Sequence, residues 1–134
     1  MKTFKELTIV TPNKPGKLAQ ALRAVAVAKV NLIAIDSSSG YDLNMVRLVT
    51  SDTQKTKSAL EKLGYQATES DVLGVMIIDQ PGLLARLTSV FGKAKVNINY
   101  MYATAAVSGH EAMIILQLSD LDKGVRALKA AKIA

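Results

Sequence analysis

From Lys5 to Thr11 apolar and polar residues alternate, with Leu7 and Ile9 set between polar neighbours, and this period of two predicts a half-buried strand. Leu18, Leu22, Val25 and Ala28 then recur at near-helical spacing and predict a helix with one apolar stripe. Two β-rich runs follow, Asn31 to Ser38 and Leu43 to Ser51. The cluster Ser39-Gly40-Tyr41-Asp42 between them has turn chemistry, so they read as a hairpin. Ser51-Asp52 offers an N-cap to a second helix, Thr53 to Leu63, and a fourth strand is predicted from about Tyr65 to Ser70.

The same order then begins again. Val72 to Ile78 is a more uniformly apolar strand, and Leu84, Leu87, Phe91 and Ala94 form the stripe of a third helix. Asn97 to Thr104 and Ala112 to Leu118 flank a loop through Ser108-Gly109-His110. Ser119-Asp120 caps a last helix from Leu121 to Ala131. Lys132-Ile133-Ala134 leaves the final strand of this second copy short or missing.

The repeat is visible in residue identities as well. Asn13-Lys14-Pro15-Gly16-Lys17-Leu18 is answered by Asp79-Gln80-Pro81-Gly82-Leu83-Leu84, an offset of 66 residues from Pro15 to Pro81. Lys29-Val30-Asn31-Leu32 is answered by Lys95-Val96-Asn97-Ile98. After two extra residues, Ser51-Asp52 and Ala59-Leu60 are answered by Ser119-Asp120 and Ala127-Leu128. An α+β protein is therefore expected, with two ferredoxin-like βαββαβ modules at 1–70 and 71–134, each an antiparallel sheet with helices on one face. Ala112-Met113-Ile114-Ile115-Leu116 is apolar at both parities, so the helix-free faces are expected to be covered too, by another module of the chain or of a second subunit. Modules of about 60 residues are marginal alone and the truncated copy leaves a sheet edge, so a homodimer is expected.

Composition narrows the chemistry. Hydrophobic residues make up 49% of the chain and aromatics 4%, which fits a globular aliphatic core. Cysteine is absent and His110 is the single histidine, so thiolate metal sites, disulfides and thiol nucleophiles are excluded, and no cofactor or metal is expected. Neither a signal-peptide pattern nor an apolar run long enough for a membrane span is present, and a cytoplasmic protein is expected. The formal charge of +6 comes from scattered lysines and arginines with acids between them. No single-sign block of five occurs, so solvated helix faces are the reading preferred over a nucleic-acid patch.

Each Pro-Gly pair precedes a helix whose first N–H groups form a small positive-ended socket for a carboxylate. Asn13 and Asp79 in the loops, and Asn31 and Asn97 opening the second strands, have the groups to hold an ammonium or a carboxylate. The same residues have a purely structural reading, in which Pro15 and Pro81 open helices, Asn13 and Asp79 cap them, and Asn31 and Asn97 form turns. Both readings stand at this point.

The segments Thr11 to Leu18 and Ile78 to Leu84, each followed after a helix by Val-Asn-Leu or Val-Asn-Ile, resemble the ACT domain. The resemblance spans nearly the whole chain, twice. It implies a regulatory ligand-binding protein, not an enzyme, that senses a free amino acid where two modules meet, in some cases beside an enzyme of amino-acid metabolism. Carried over, the family's ligand loop falls on Asn13, Pro15, Gly16 and Leu18, and on Asp79, Pro81, Gly82 and Leu84. Its second-strand contacts fall on Asn31 and Asn97. Asp79 departs from Asn13, so the two sites are expected to differ.

The competing function is an RNA-binding module on the same scaffold, which would need aromatics on the central strands; only Tyr100 and Tyr102 come near that pattern, and packing between modules is their alternative. Arg47, mid-strand among apolar residues, is either exposed or paired with an acid across a module interface. His110 lacks a partner acid or nucleophile, and no G-x-S-x-G or phosphate loop occurs, which leaves catalysis without a site.

Overall fold

A computed structural model describes residues 1–78, 80–104 and 111–133. Its elements are β1 (Lys2–Pro12), α1 (Lys17–Val27), β2 (Leu32–Ser39), β3 (Leu43–Thr50), α2 (Thr53–Lys62), β4 (Thr68–Ile78), α3 (Leu83–Lys93), β5 (Ile98–Ala103), β6 (Glu111–Leu118) and α4 (Leu121–Ala131). The chain separates into two compact units, Lys5–Ser70 and Asp71–Ala134, with Met1–Phe4 joining the second. Both are ferredoxin-like, so the protein is α+β.

In the first unit the strand order is β2-β3-β1, antiparallel throughout. Leu7 faces Leu48 and Ile9 faces Val46 across β1 and β3, and these four residues turn one way with Ala21 and Val25 of α1 and Leu60 of α2 to make the core. The period of two thus decides which sheet face takes the helices. On the helix-free face Ala34 and Val49 are buried, whereas the cross-strand pair Val10 and Met45 is exposed. The expectation of apolar burial on both faces therefore holds for only part of this sheet.

The second unit runs β4-β6-β5, again antiparallel, and its core joins Leu73, Val75, Leu87, Phe91, Ile114, Leu116 and Leu128. Phe4 lies over Gly74, where a Cβ would come within 2.5 Å of the Phe4 ring and 3.1 Å of Met113 Sδ. A strand glycine here makes room for an aromatic side chain. Sequence reading placed separate strands at Tyr65–Ser70 and Val72–Ile78, but β4 runs continuously from Thr68 to Ile78. Tyr65 instead ends α2, because Gly64 takes φ +91° and the Tyr65 N–H reaches the Leu60 carbonyl at 3.2 Å, closing a Schellman turn.

The two cores fill equivalent space differently. Gly124 of α4 sits so close to Leu118 and Phe91 that a Cβ would approach them to 2.5 and 3.2 Å. Their repeat-mates in the first unit are Thr56, Thr50 and Val25. There the Thr50 and Thr56 hydroxyls share a 2.6 Å hydrogen bond, and Thr56 also donates to the Asp52 carbonyl at 2.8 Å. A large-and-small apolar set replaces a satisfied polar pair.

Candidate functional site

The two Pro-Gly segments fold alike. Lys17 N–H bonds the Lys14 carbonyl and Leu83 N–H bonds the Gln80 carbonyl, each at 3.2 Å, around Gly16 at φ +86° and Gly82 at φ +83°. Proline second and a positive-φ glycine third is the chemistry of a type II turn. Gly16 and Gly82 are themselves the N-caps, accepting from Gln20 and Arg86 at 3.0 Å. Pro15 and Pro81 consequently lie before the helices, not inside them.

Among the described residues neither helix start carries a side-chain cap. Asn13, read from sequence as a capping candidate, instead donates its amide to the Tyr41 carbonyl at 3.2 Å, while its N–H bonds the Asp42 carbonyl at 2.8 Å. It ties the loop to the β2–β3 hairpin. By contrast α2 and α4 are capped by Asp52 and Asp120, which accept from Lys55 and Lys123 N–H at 3.1 and 3.0 Å. The N–H groups of Leu18 and Ala19, and of Leu84 and Ala85, belong to a first turn with no carbonyl behind it. Space above both glycines is open among the described residues, since a Cβ at either would meet none of them within 4 Å. Each corner is therefore an accessible, positively polarised surface suited to an anion such as a carboxylate. Asp79 lies outside the described residues.

Asn31 and Asn97 stand elsewhere. Asn31 follows the far end of α1, whose 11 residues span about 16 Å, so one module does not bring it to its own Gly16. Both asparagines make the same reciprocal clamp. The Asn31 N–H bonds Ser51 Oγ and its carbonyl accepts from Ser51 N–H, both at 2.9 Å; for Asn97 and Ser119 the distances are 2.8 and 2.9 Å. The Asn97 side chain donates to Asn99 Oδ1 at 3.0 Å. The backbones of Asn31 and Asn97 thus open the β2–β3 and β5–β6 pairings, tied to serines 20 and 22 positions on instead of forming turns, and the Asn31 side chain is exposed.

Sequence reasoning passed over Thr11. It shares the helix-facing side of β1 with Leu7 and Ile9, immediately before the loop, and its fully buried hydroxyl has no hydrogen-bond partner among the described residues. Its repeat-mate is Ile77, an apolar residue packed against the second core. The available signal was the mismatch itself, a hydroxyl in one copy where the other has a branched hydrocarbon.

A family model described as an ACT domain pair matches residues 2–133. The chain belongs to the ACT domain pair family.

Among solved structures, the protein BT0572 from Bacteroides thetaiotaomicron is 29% identical, with 97% of this chain and 89% of that chain covered at a TM-score of 0.90. The regulatory subunit of aspartate kinase from Thermus thermophilus, in its ligand-free form, is 17% identical over 98% of this chain and 97% of that one, with a TM-score of 0.74. The corresponding subunit from Thermus flavus is 22% identical, covering 98% and 93%, with a TM-score of 0.67. These two share the fold. No curated protein matches significantly.

The remaining candidates fall into place on the ACT scaffold. Arg47 pairs with Asp36 at 3.0 Å, its direct cross-strand neighbour in the same unit, so it is not simply exposed. Tyr100 and Tyr102 lie on β5, an edge strand, half-buried and engaged with other groups, unlike the open stacking platform that RNA binding needs. His110 lies outside the described residues. No helix is long and apolar enough to cross a membrane among the described residues.

Proposed function

We propose that this ACT domain pair is a regulatory, non-catalytic protein that binds a free amino acid where two ACT modules meet, and that it works in the cytoplasm as a homodimer. The observation that carries the reading is the pair of open, uncapped helix starts at Gly16 and Gly82. The ligand carboxylate lies on the first-turn N–H groups, with Asn13, Pro15, Gly16 and Leu18 lining one corner and Asp79, Pro81, Gly82 and Leu84 the other. Asn31 and Asn97 contribute from a different module, since α1 separates Asn31 from the corner of its own. The modules are taken as 1–70 and 71–134. Exposed Val10 and Met45 in one unit, and exposed Met76 and Ile78 in the other, support a second copy that covers them. Likeness to aspartate kinase regulatory subunits supports an amino-acid-metabolic enzyme as partner.

Ligand binding regulates only if it favours one arrangement of modules over another. A thermal-shift screen of the full chain against the twenty amino acids tests the reading. A ligand at about 100 times its Kd stabilises the protein by roughly 2.7 kcal/mol. A flat response to every amino acid, confirmed by calorimetry, refutes it.

A further inference from the structure

The fold gathers cations that the sequence shows scattered. Between α1 and α2, in the first unit, runs a surface groove of about 620 Å³ whose charged lining residues are Arg23, Lys55 and Lys62. None of the three side chains forms an ion pair among the described residues, and no acid lines the groove. Its apolar floor includes Ala24, Val27 and Leu63, with Val27 75% and Leu63 37% exposed.

The second module supplies an internal control. At the positions equivalent to Val27, Lys62 and Leu63 it has Lys93, Ala130 and Ala131. The βαββαβ scaffold therefore requires neither the apolar floor nor this pattern of charge, and the first module carries a feature beyond folding. Lying open between two surface helices, the groove suits an elongated partner better than a small molecule, which a pocket buries on most sides. Three cations over an apolar floor without aromatics fit poorly to nucleic acid, which favours charge arrays and stacking surfaces.

We propose that the groove between α1 and α2 docks an acidic amphipathic helix of a partner protein. Its apolar face covers Val27 and Leu63 while its carboxylates meet Arg23, Lys55 and Lys62. The 11-residue α1 offers about 16 Å of groove, enough for roughly three turns of such a helix. The proposal stands apart from amino-acid binding, because the groove and the Gly16 corner share no residue.

The test uses the full chain with a photo-crosslinking phenylalanine at position 27, irradiated in its host cells, followed by sequencing of the captured peptide. That segment is then synthesised and titrated against the full chain. The expected result is an acid-rich segment with apolar residues every three or four positions, whose binding weakens with salt. Arg23→Glu with Lys62→Glu should cost about tenfold or more in affinity, and Val27→Lys, which installs the second module's own residue, several-fold, both with unchanged melting. Cross-linking solely to a second copy of this chain, to nucleic acid or to lipid overturns the proposal. So does a basic or non-amphipathic captured segment, no capture, or binding indifferent to the charge reversals.

Discussion

Replacing Thr11 by Val should stabilise the protein. The hydroxyl is fully buried and without a partner among the described residues, so the folded state bears its desolvation with no compensating bond. Mutational data put that cost at about 1–3 kcal/mol. Valine keeps the shape and the β-branch, so neither packing nor strand propensity changes much, and the exchanged methyl contributes in the same direction. We expect a net gain of about 1–2 kcal/mol, or roughly 4–8 °C per kcal/mol if the module melts as its own cooperative unit. Urea and thermal unfolding followed by circular dichroism measure it. Thr11→Ser, which keeps the hydroxyl and loses the methyl, should destabilise, and amino-acid affinity should not change because the hydroxyl is sealed from the loop surface. A loss of 1 kcal/mol or more in Thr11→Val would refute the reasoning and mean that the hydroxyl is hydrogen-bonded in solution.

Four further outcomes follow from local geometry. Gly124→Ala should destabilise by about 1–3 kcal/mol in urea unfolding, since its Cβ would meet Leu118 at 2.5 Å, and the cost should shrink when Phe91→Val is added. Lys29→Gly should stabilise by about 1 kcal/mol, because Lys29 ends α1 at φ +58°, where a side chain is strained and glycine is not; an unchanged midpoint would show that the lysine side chain repays the strain. Gly16→Ala should destabilise by about 1–2 kcal/mol through φ alone, with open space around the new methyl, whereas Asn13→Ala should leave the type II turn intact and lose only its tether to Tyr41, which the amide exchange of Asp42 and neighbouring residues reports.

The repeat and its element order were legible because hydrophobic period is a property of each segment alone. Leu7 and Ile9 announce the helix-facing side of β1, and Leu87 and Phe91 the buried stripe of α3. Junctions were less legible. Ser70 and Asp71 read as a break between strands, yet β4 continues through them, because a polar dipeptide interrupts periodicity without interrupting a backbone ladder. Asn13 was misread as a cap since its chemistry suits both roles, and only the fold shows that the Tyr41 and Asp42 carbonyls are within its reach. The groove was invisible for the same reason. Arg23 and Lys62 are 39 positions apart in sequence (62 minus 23) and become neighbours only when α1 packs on α2.

What distinguishes the two glycine corners is side-chain charge, because their backbones are alike: both are type II turns with glycine near φ +85° and uncapped helices behind them. The proposed ligand carboxylate would meet the same first-turn N–H groups at either. Asn13 is neutral, but its repeat-mate is Asp79, and we take its carboxylate to oppose the ligand carboxylate more than it attracts the ammonium, a like-charge pair in contact being worth roughly 1–4 kcal/mol between bulk water and a protein surface. Each 1.4 kcal/mol is about tenfold in affinity, so the second corner should bind at least several-fold more weakly. Calorimetry should therefore find one amino acid per chain at moderate concentration, with a second appearing only in excess. Asp79→Asn removes the repulsion and should raise the stoichiometry toward two, while the salt dependence of the weak site falls. Two equal sites in the unmodified protein, or an Asp79→Asn variant that still binds one, would show that the carboxylate at position 79 engages the ligand ammonium or points away from it, and that charge at this position does not set which corner senses.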